Sequence, residues 1–344
     1  MKYMRQLFVL ISLVVLPLSA CATIKLGANV GDLQRNYEST MAGALKTDHS
    51  LIVSGNLNVD DIKFLRSKMM NDDDEWIEEL NIQQTIMRMP EGWYVNNDNV
   101  FGVDKGKDFE AYLGARGLDM LYFGEGWYYN AEIKQSTLFS YMFYGCKTLR
   151  KLVLPYTVRA IGCLCVANCE NLEELEIASN SPVSSWWSYC LGAQDIRPLA
   201  VCGCPKLRLL ILPYYLQTIN TVAFCECDAL ERVVIKNAVC PPAYGYNCFP
   251  HPEKLELIVL TDSRSSQFEE SPYLSAPGWK DFGSITTMST NDYQAISNST
   301  KPKQSGEPRI YTVDGRLHST PPAKGVYIQE GKKRVVKRTN TNIE

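Results

Sequence analysis

Cys146-Lys-Thr-Leu149-Arg-Lys-Leu152-Val-Leu154 returns as Cys169-Glu-Asn-Leu172-Glu-Glu-Leu175-Glu-Ile177, as Cys204-Pro-Lys-Leu207-Arg-Leu-Leu210-Ile-Leu212, and as Cys227-Asp-Ala-Leu230-Glu-Arg-Val233-Val-Ile235. The shared frame is C-x-x-L-x-x-L-x-L. Its cysteines stand 23, 35 and 23 residues apart, a 23-residue period with one 12-residue insertion. A unit that short cannot bury its own apolar face, so it must stack on its neighbours. The chain is therefore a solenoid. Solenoids present surfaces for binding more often than they build catalytic centres.

Working outward, Phe143 and Phe224 each lie three residues before a frame cysteine, where Val166 and Val201 substitute. Pro155-Tyr-Thr-Val-Arg-Ala-Ile-Gly162 matches Pro213-Tyr-Tyr-Leu-Gln-Thr-Ile-Asn220, so the turn after the strand repeats too. A weaker fifth unit sets Leu255, Ile258 and Leu260 on the frame, and Trp279-Lys-Asp-Phe282 can cover the last open edge. The period falls in the 20–29 residue window of leucine-rich repeats. The expected fold class is α/β: a leucine-rich-repeat right-handed solenoid of about seven repeats, with a parallel sheet on its concave face.

Before the repeats, Leu51 to Val59 alternates in part like a strand, and Ile62, Leu65 and Met69 space out a helix face that Asp60 would cap. Leu80-Asn-Ile82 predicts another strand, so this segment reads as an N-terminal cap. Residues 90–135, with Trp93, Tyr94, Trp127, Tyr128 and Tyr129, are expected to hold degenerate repeats. After the solenoid, residues 288–308 are rich in Ser, Thr, Asn, Lys and Pro and predict a linker. Alternating segments around Asp-Gly and Glu-Gly turns in 309–338 then predict a small C-terminal β-hairpin unit.

The first 20 residues read as an export signal, with Lys2 and Arg5 before an apolar run from Leu7 to Leu18. That run is too short to span a bilayer. Leu18-Ser-Ala-Cys21 is similar to the bacterial lipobox, which implies lipidation of Cys21; Ala20-Cys-Ala22 offers the competing A-x-A site, which would release an unlipidated chain. Residues 21–48, polar and irregular, would be a spacer between anchor and solenoid, which is assigned to 49–287.

The chain has 344 residues, 45% hydrophobic and 21% charged, an ordinary globular balance. A net charge of −3 argues against a nucleic-acid partner, and Lys332 to Arg338 reads as a charged last strand. Of the 12 cysteines, the four frame cysteines should form a buried ladder of thiols, while a bond between Cys202 and Cys225 stays open. Only three histidines exist, His49, His251 and His318, none near the cysteine pairs, so no metal site is expected. The acidic run Asp72 to Glu75 lacks the spaced oxygens and the glycine of a calcium loop and reads as a solvated loop.

The frame from Phe143 to Pro155, ending in Ile161-Gly162, resembles the BspA-type leucine-rich repeat of surface proteins of Bacteroides and its relatives. The segment Leu51 to Met69, Trp279-Lys-Asp-Phe282, and the tail Ile310 to Arg316 with Lys324 to Ile328 are similar to what such proteins carry. The resemblance implies a cell-envelope adhesion protein, an outer-membrane lipoprotein displayed at the surface, that meets a protein on a host or neighbouring cell. It also likens the tail to C-terminal sorting domains. Ala22-Thr-Ile-Lys-Leu26 departs from one export pattern, because it lacks the acidic residues that often follow a lipidated cysteine.

Two surfaces could hold a ligand. On the later strands Leu209, Ile211, Val234, Leu257 and Val259 are expected on one outward apolar patch, which could meet a protein or be covered by the C-terminal hairpins. The insertion carries Trp186-Trp187-Ser-Tyr189, aromatics that could stack on a glycan or seal the loop onto the solenoid. Arg150 and Lys151 should stand beside Glu173 and Glu174, and Arg208 beside Glu231. No G-x-S-x-G, H-E-x-x-H or P-loop occurs, so the expectation is no enzyme and no cofactor.

Overall fold

The computed structural model describes residues 21–27, 29–72, 74–87, 137–138, 141–158, 160–179, 193–214, 216–236, 240, 248–261 and 272–294, and four strands between 310 and 336. The chain divides into two units at Ser289. In the first, nine strands form one parallel sheet: β1 (Ala22–Lys25), β2 (Ser50–Leu57), β3 (Glu79–Met87), β5 (Lys151–Leu154), β8 (Glu174–Ile177), β11 (Leu209–Leu212), β13 (Arg232–Ile235), β14 (Glu256–Thr261) and β15 (Ser284–Ser289). At another corner of the coils run β4 (Thr137–Leu138), β6 (Ala160–Ile161), β9 (Asp195–Ile196) and β12 (Thr218–Ile219). A third corner holds the pair β7 (Val166–Ala167) and β10 (Val201–Cys202).

Register explains why the frame leucines recur. One column across the main sheet runs Ala22, Leu51, Leu80, Leu152, Leu175, Leu210, Val233, Leu257 and Ile285. All but Ile285 are buried in one continuous core. Each such leucine or valine contributes about 1.5–3 kcal/mol by leaving water, and it does so only while its neighbouring coils are in place.

Two expectations fail here. Residues 21–48 are no spacer: Ala22 to Lys25 pair with Leu51 to Ser54, helix α1 (Leu33–Thr40) follows, and Ile24, Leu26, Leu33, Tyr37 and Leu45 join the core. The fifth coil was expected one residue out of phase. A 3-10 turn at Pro252–Lys254 leaves one residue between Leu255 and the inward Leu257, where the preceding coil has two between Leu230 and Val233. A one-residue slip exchanges the faces of a strand, so Leu257 and Val259 lie in the core and Ile258 and Leu260 on the other side. The sheet carries nine strands, of which β1, β2 and β3 precede the frame repeats.

Helix α2 (Val59–Ser67) is capped by Asn58 rather than Asp60. Asp61 N–H donates to Asn58 Oδ1 at 3.0 Å and Asn58 N–H returns to Asp61 Oδ2 at 2.9 Å, a reciprocal cap. The buried Asp61 carboxylate also accepts from Gly31 and Leu33 N–H, each at 2.9 Å, and so ties the start of α1 to α2.

The frame cysteines are the expected buried ladder, with a specific duty. Cys169 Sγ donates to Phe143 O at 3.1 Å, Cys204 Sγ to Val166 O at 3.7 Å, and Cys227 Sγ to Val201 O at 3.8 Å. Each thiol thus satisfies a carbonyl of the coil before it. At the open end of the ladder the buried Arg66 takes over, donating to Tyr141 O, Met142 O and Tyr144 O at 2.9–3.3 Å, 3.9 Å from Cys146 Sγ. Hydrogen bonding with Cys169 and burial hold the Cys146 thiol well above its ordinary range. Hydrogen bonds with Cys169 and Cys227, with burial, do the same for Cys204.

The backbone before each frame cysteine is left-handed, at Gly145, Asn168, Gly203 and Glu226. So is a second column of bulkier residues, Tyr141, Leu164, Leu199 and Val222, with φ from 49° to 62°. Side chains of that size enter this region at a cost of about 1–3 kcal/mol each. They are held there by a small separate cluster with Ala167 and Cys202. Beside it lies the bond that the sequence left open, a disulfide between Cys202 and Cys225.

At the far end Trp279 and Phe282 close the core against Phe249 and Tyr273, as expected, although the sheet continues into β15. The second unit is an antiparallel sheet of β16 (Ile310–Thr312), β17 (Leu317–His318), β18 (Gly325–Gln329) and β19 (Lys332–Val336), the expected hairpins. The segments 90–135 and 180–192 lie outside the described residues, with the aromatics that the sequence singles out in them.

Candidate functional site

Residues between the inward columns face away from the core and form the outward face of the main sheet. One outward column runs Ser50, Glu79, Lys151, Glu174, Leu209, Arg232, Glu256 and Ser284; the next runs Thr23, Ile52, Asn81, Val153, Glu176, Ile211, Val234, Ile258 and Thr286. Charge on this face is paired strand to strand. Arg150 Nη2 lies 2.8 Å from Glu173 Oε1 and Lys151 Nζ 2.7 Å from Glu174 Oε2, as expected. Arg208 turns to Glu173 at 2.6 Å, so one carboxylate is shared by two guanidiniums. Arg232 meets Glu256 at 2.7 Å.

Electrostatics follow from that sharing. Burial pushes the Glu173 carboxyl up, but Arg150 and Arg208 outweigh it and hold the group below its ordinary value. Burial acts to lower Lys151, and Glu174 overrides it, so the ammonium is held up. These charges answer one another across the strands, which stabilises the face without a ligand.

The apolar part of the face is smaller than the sequence suggests. Leu257 and Val259 belong to the core, and Val234, though outward, is 0% exposed, with Ile258 beside it at 4%. What remains is Leu209 and Ile211 on β11, both partly exposed. Lys236 reaches back to Glu176 at 2.7 Å, and since β11 lies between their strands this ion pair passes over it beside Ile211. The result is an apolar centre with an ion-paired rim, the layout of a protein-binding surface.

Other candidates are weaker. Cys21 is half-buried at the start of β1 and lines a cavity of about 120 Å³ with Ile52, Leu80, Asn81 and Val153. Burial, then Asp48 and Glu79, raise its thiol above the ordinary range. The acidic run contributes Asp74 and Glu75 to an open polar groove with Lys46, Ser67, Lys68 and Asn71, where Lys68 holds Glu75 at 3.1 Å. Among the described residues no group of three or more His, Cys, Asp or Glu could hold a metal. No helix among them is long and apolar enough to cross a membrane. Trp186, Trp187 and Tyr189 lie outside the described residues.

Sequence reasoning missed β1, Arg66 and the left-handed corner. Only the first had a signal, the alternation of Ala22-Thr-Ile-Lys-Leu26.

Comparison with known proteins agrees with the repeat. The family model described as the BspA type leucine-rich repeat region matches residues 129–192 and 194–300 in six copies. No curated protein matches the chain. A solved structure, described as the crystal structure of the pneumococcal vaccine antigen PcpA, is similar at 14% identity and a TM-score of 0.29, over 70% of this chain and 60% of that one. The chain thus spans 60% of the length of that antigen chain.

Proposed function

The repeats of this chain belong to the BspA-type leucine-rich repeat family, and from that premise we propose that the protein is an envelope-anchored adhesion protein that holds a protein of a host or neighbouring cell on the outward face of its main sheet. The family carries the coarse statement, a cell-surface, protein-binding role. What supports the finer one is the apolar pair Leu209 and Ile211, set among the ion pairs of Glu173, Glu174, Glu176 and Glu256. Interfaces place such residues at the centre, where contact excludes water and truncation costs most. The test is an array of surface and matrix proteins probed with the chain from Cys21 onward. The double variant Leu209→Glu, Ile211→Glu should lose the captured partner at least a hundredfold while its circular dichroism is unchanged. Full retention of binding would overturn the assignment.

Anchoring is proposed at Cys21. The lipobox-like Leu18-Ser-Ala-Cys21 supports it. So does the burial of Ala22, 2% exposed and paired with Leu51, because cleavage after Ala22 would remove a core residue from β1. Mass spectrometry of the mature N-terminus should find Cys21 acylated. An unmodified N-terminus at Thr23 would contradict this.

A further inference from the structure

We propose that the disulfide between Cys202 and Cys225 is a redox-controlled clip that stops the solenoid from unravelling past its third frame coil. Coils of a solenoid contact only their neighbours, so opening spreads from the weakest junction. On the main sheet each junction in the frame repeats is several residues of parallel pairing. At the corner beyond the Phe143 column it is much less: β7 and β10 pair over two residues, and that ladder stops at Cys202. The next coil is tied there by Val201 N–H to Ala223 O at 2.9 Å, by Gly203 N–H to Cys225 O at 3.0 Å, and by the disulfide. Leu199 and Val222, which flank the bond, both hold the left-handed backbone that side chains of their size avoid. Neighbouring coils meet at this corner through a few backbone bonds beside left-handed residues, and between the third and fourth frame coils the covalent link is added to them.

Its position also separates it from the other sulfurs. Cys204 and Cys227 have the same 23-residue spacing, yet each is fully buried and donates its thiol hydrogen to backbone carbonyls. Cys225 is only partly buried. Cys225 Sγ is therefore the half of the bond that we propose an external dithiol attacks. Its thiolate attacks that sulfur, the S–S bond breaks, and Cys202 leaves as a thiolate and takes a proton. The reductant's second thiol then displaces Cys225, and the reductant ends as a disulfide two electrons poorer. Oxidation is the reverse, with a protein disulfide of the export compartment accepting the two electrons. The clip does not depend on which surface binds a partner.

Hydrogen exchange read by mass spectrometry tests it on the full mature chain, oxidised and then reduced with dithiothreitol. Reduction should speed exchange at Arg232–Ile235 and Glu256–Thr261 by tenfold or more and leave Lys151–Leu154 unchanged. The variant Cys225→Ser should reproduce the reduced pattern without reductant, and Cys204→Ser should still respond to it. Equal protection on both sides of the bond in both redox states would overturn the proposal. So would recovery of both cysteines as alkylatable thiols from protein isolated under oxidising conditions.

Discussion

Glu173 shows how a residue acts through its coil neighbours. Its carboxylate receives Arg150 from one neighbouring coil and Arg208 from the other, and their charge outweighs burial and holds its pKa below the ordinary value. A carboxyl whose folded pKa is depressed stabilises the fold above its unfolded value, about 4.3, and that contribution fades as pH falls through the folded value. The two arginines are half exposed, so the effect is screened, and Glu173→Gln should cost about 0.5–1 kcal/mol at pH 7. Urea midpoints of the two proteins should differ at pH 7 and converge as pH falls below 4. A difference independent of pH would mean that the loss is one of packing rather than charge. Arg66 plays the matching part inside, serving the carbonyls of Tyr141, Met142 and Tyr144 at the start of the ladder.

At the scale of the element, the strands that repeat were legible and those that do not were obscure. C-x-x-L-x-x-L-x-L placed β5, β8, β11 and β13, because one 23-residue period states the same inward column four times. The fifth coil was misread by one residue, since a shortened turn leads into Leu257-Ile-Val-Leu260, four apolar residues in a row that give little sign of phase. β1 was obscure because four residues state their alternation only once. Its place rests on Gly55, with φ at 100° and no room for a Cβ, which would fall on the Leu26 carbonyl oxygen. Gly55→Ala should therefore lift β1 from β2 and cost about 3 kcal/mol. Thermal unfolding and exchange at Leu26, whose N–H donates to Ser54 O at 2.8 Å, check it together. A variant with unchanged stability and a protected Leu26 amide would contradict this account of the first coil.

For the whole molecule, the stack makes one continuous outward face, and the candidate site on it was half legible. Leu209 and Ile211 face outward and are partly exposed; Val234 faces the same way but is closed off, and Leu257 and Val259 went to the core with the slip in phase. Burial of an outward residue depends on what lies over it, which no strand pattern records. The central claim is that this face, at β11, is where a partner sits. The most direct measurement places a photo-reactive amino acid at position 211, and in a second protein at position 35, an exposed site on α1 well outside the sheet. Both are illuminated with the partner found on the array. The account requires a cross-link from position 211 and none from position 35; a cross-link from position 35 alone would contradict it.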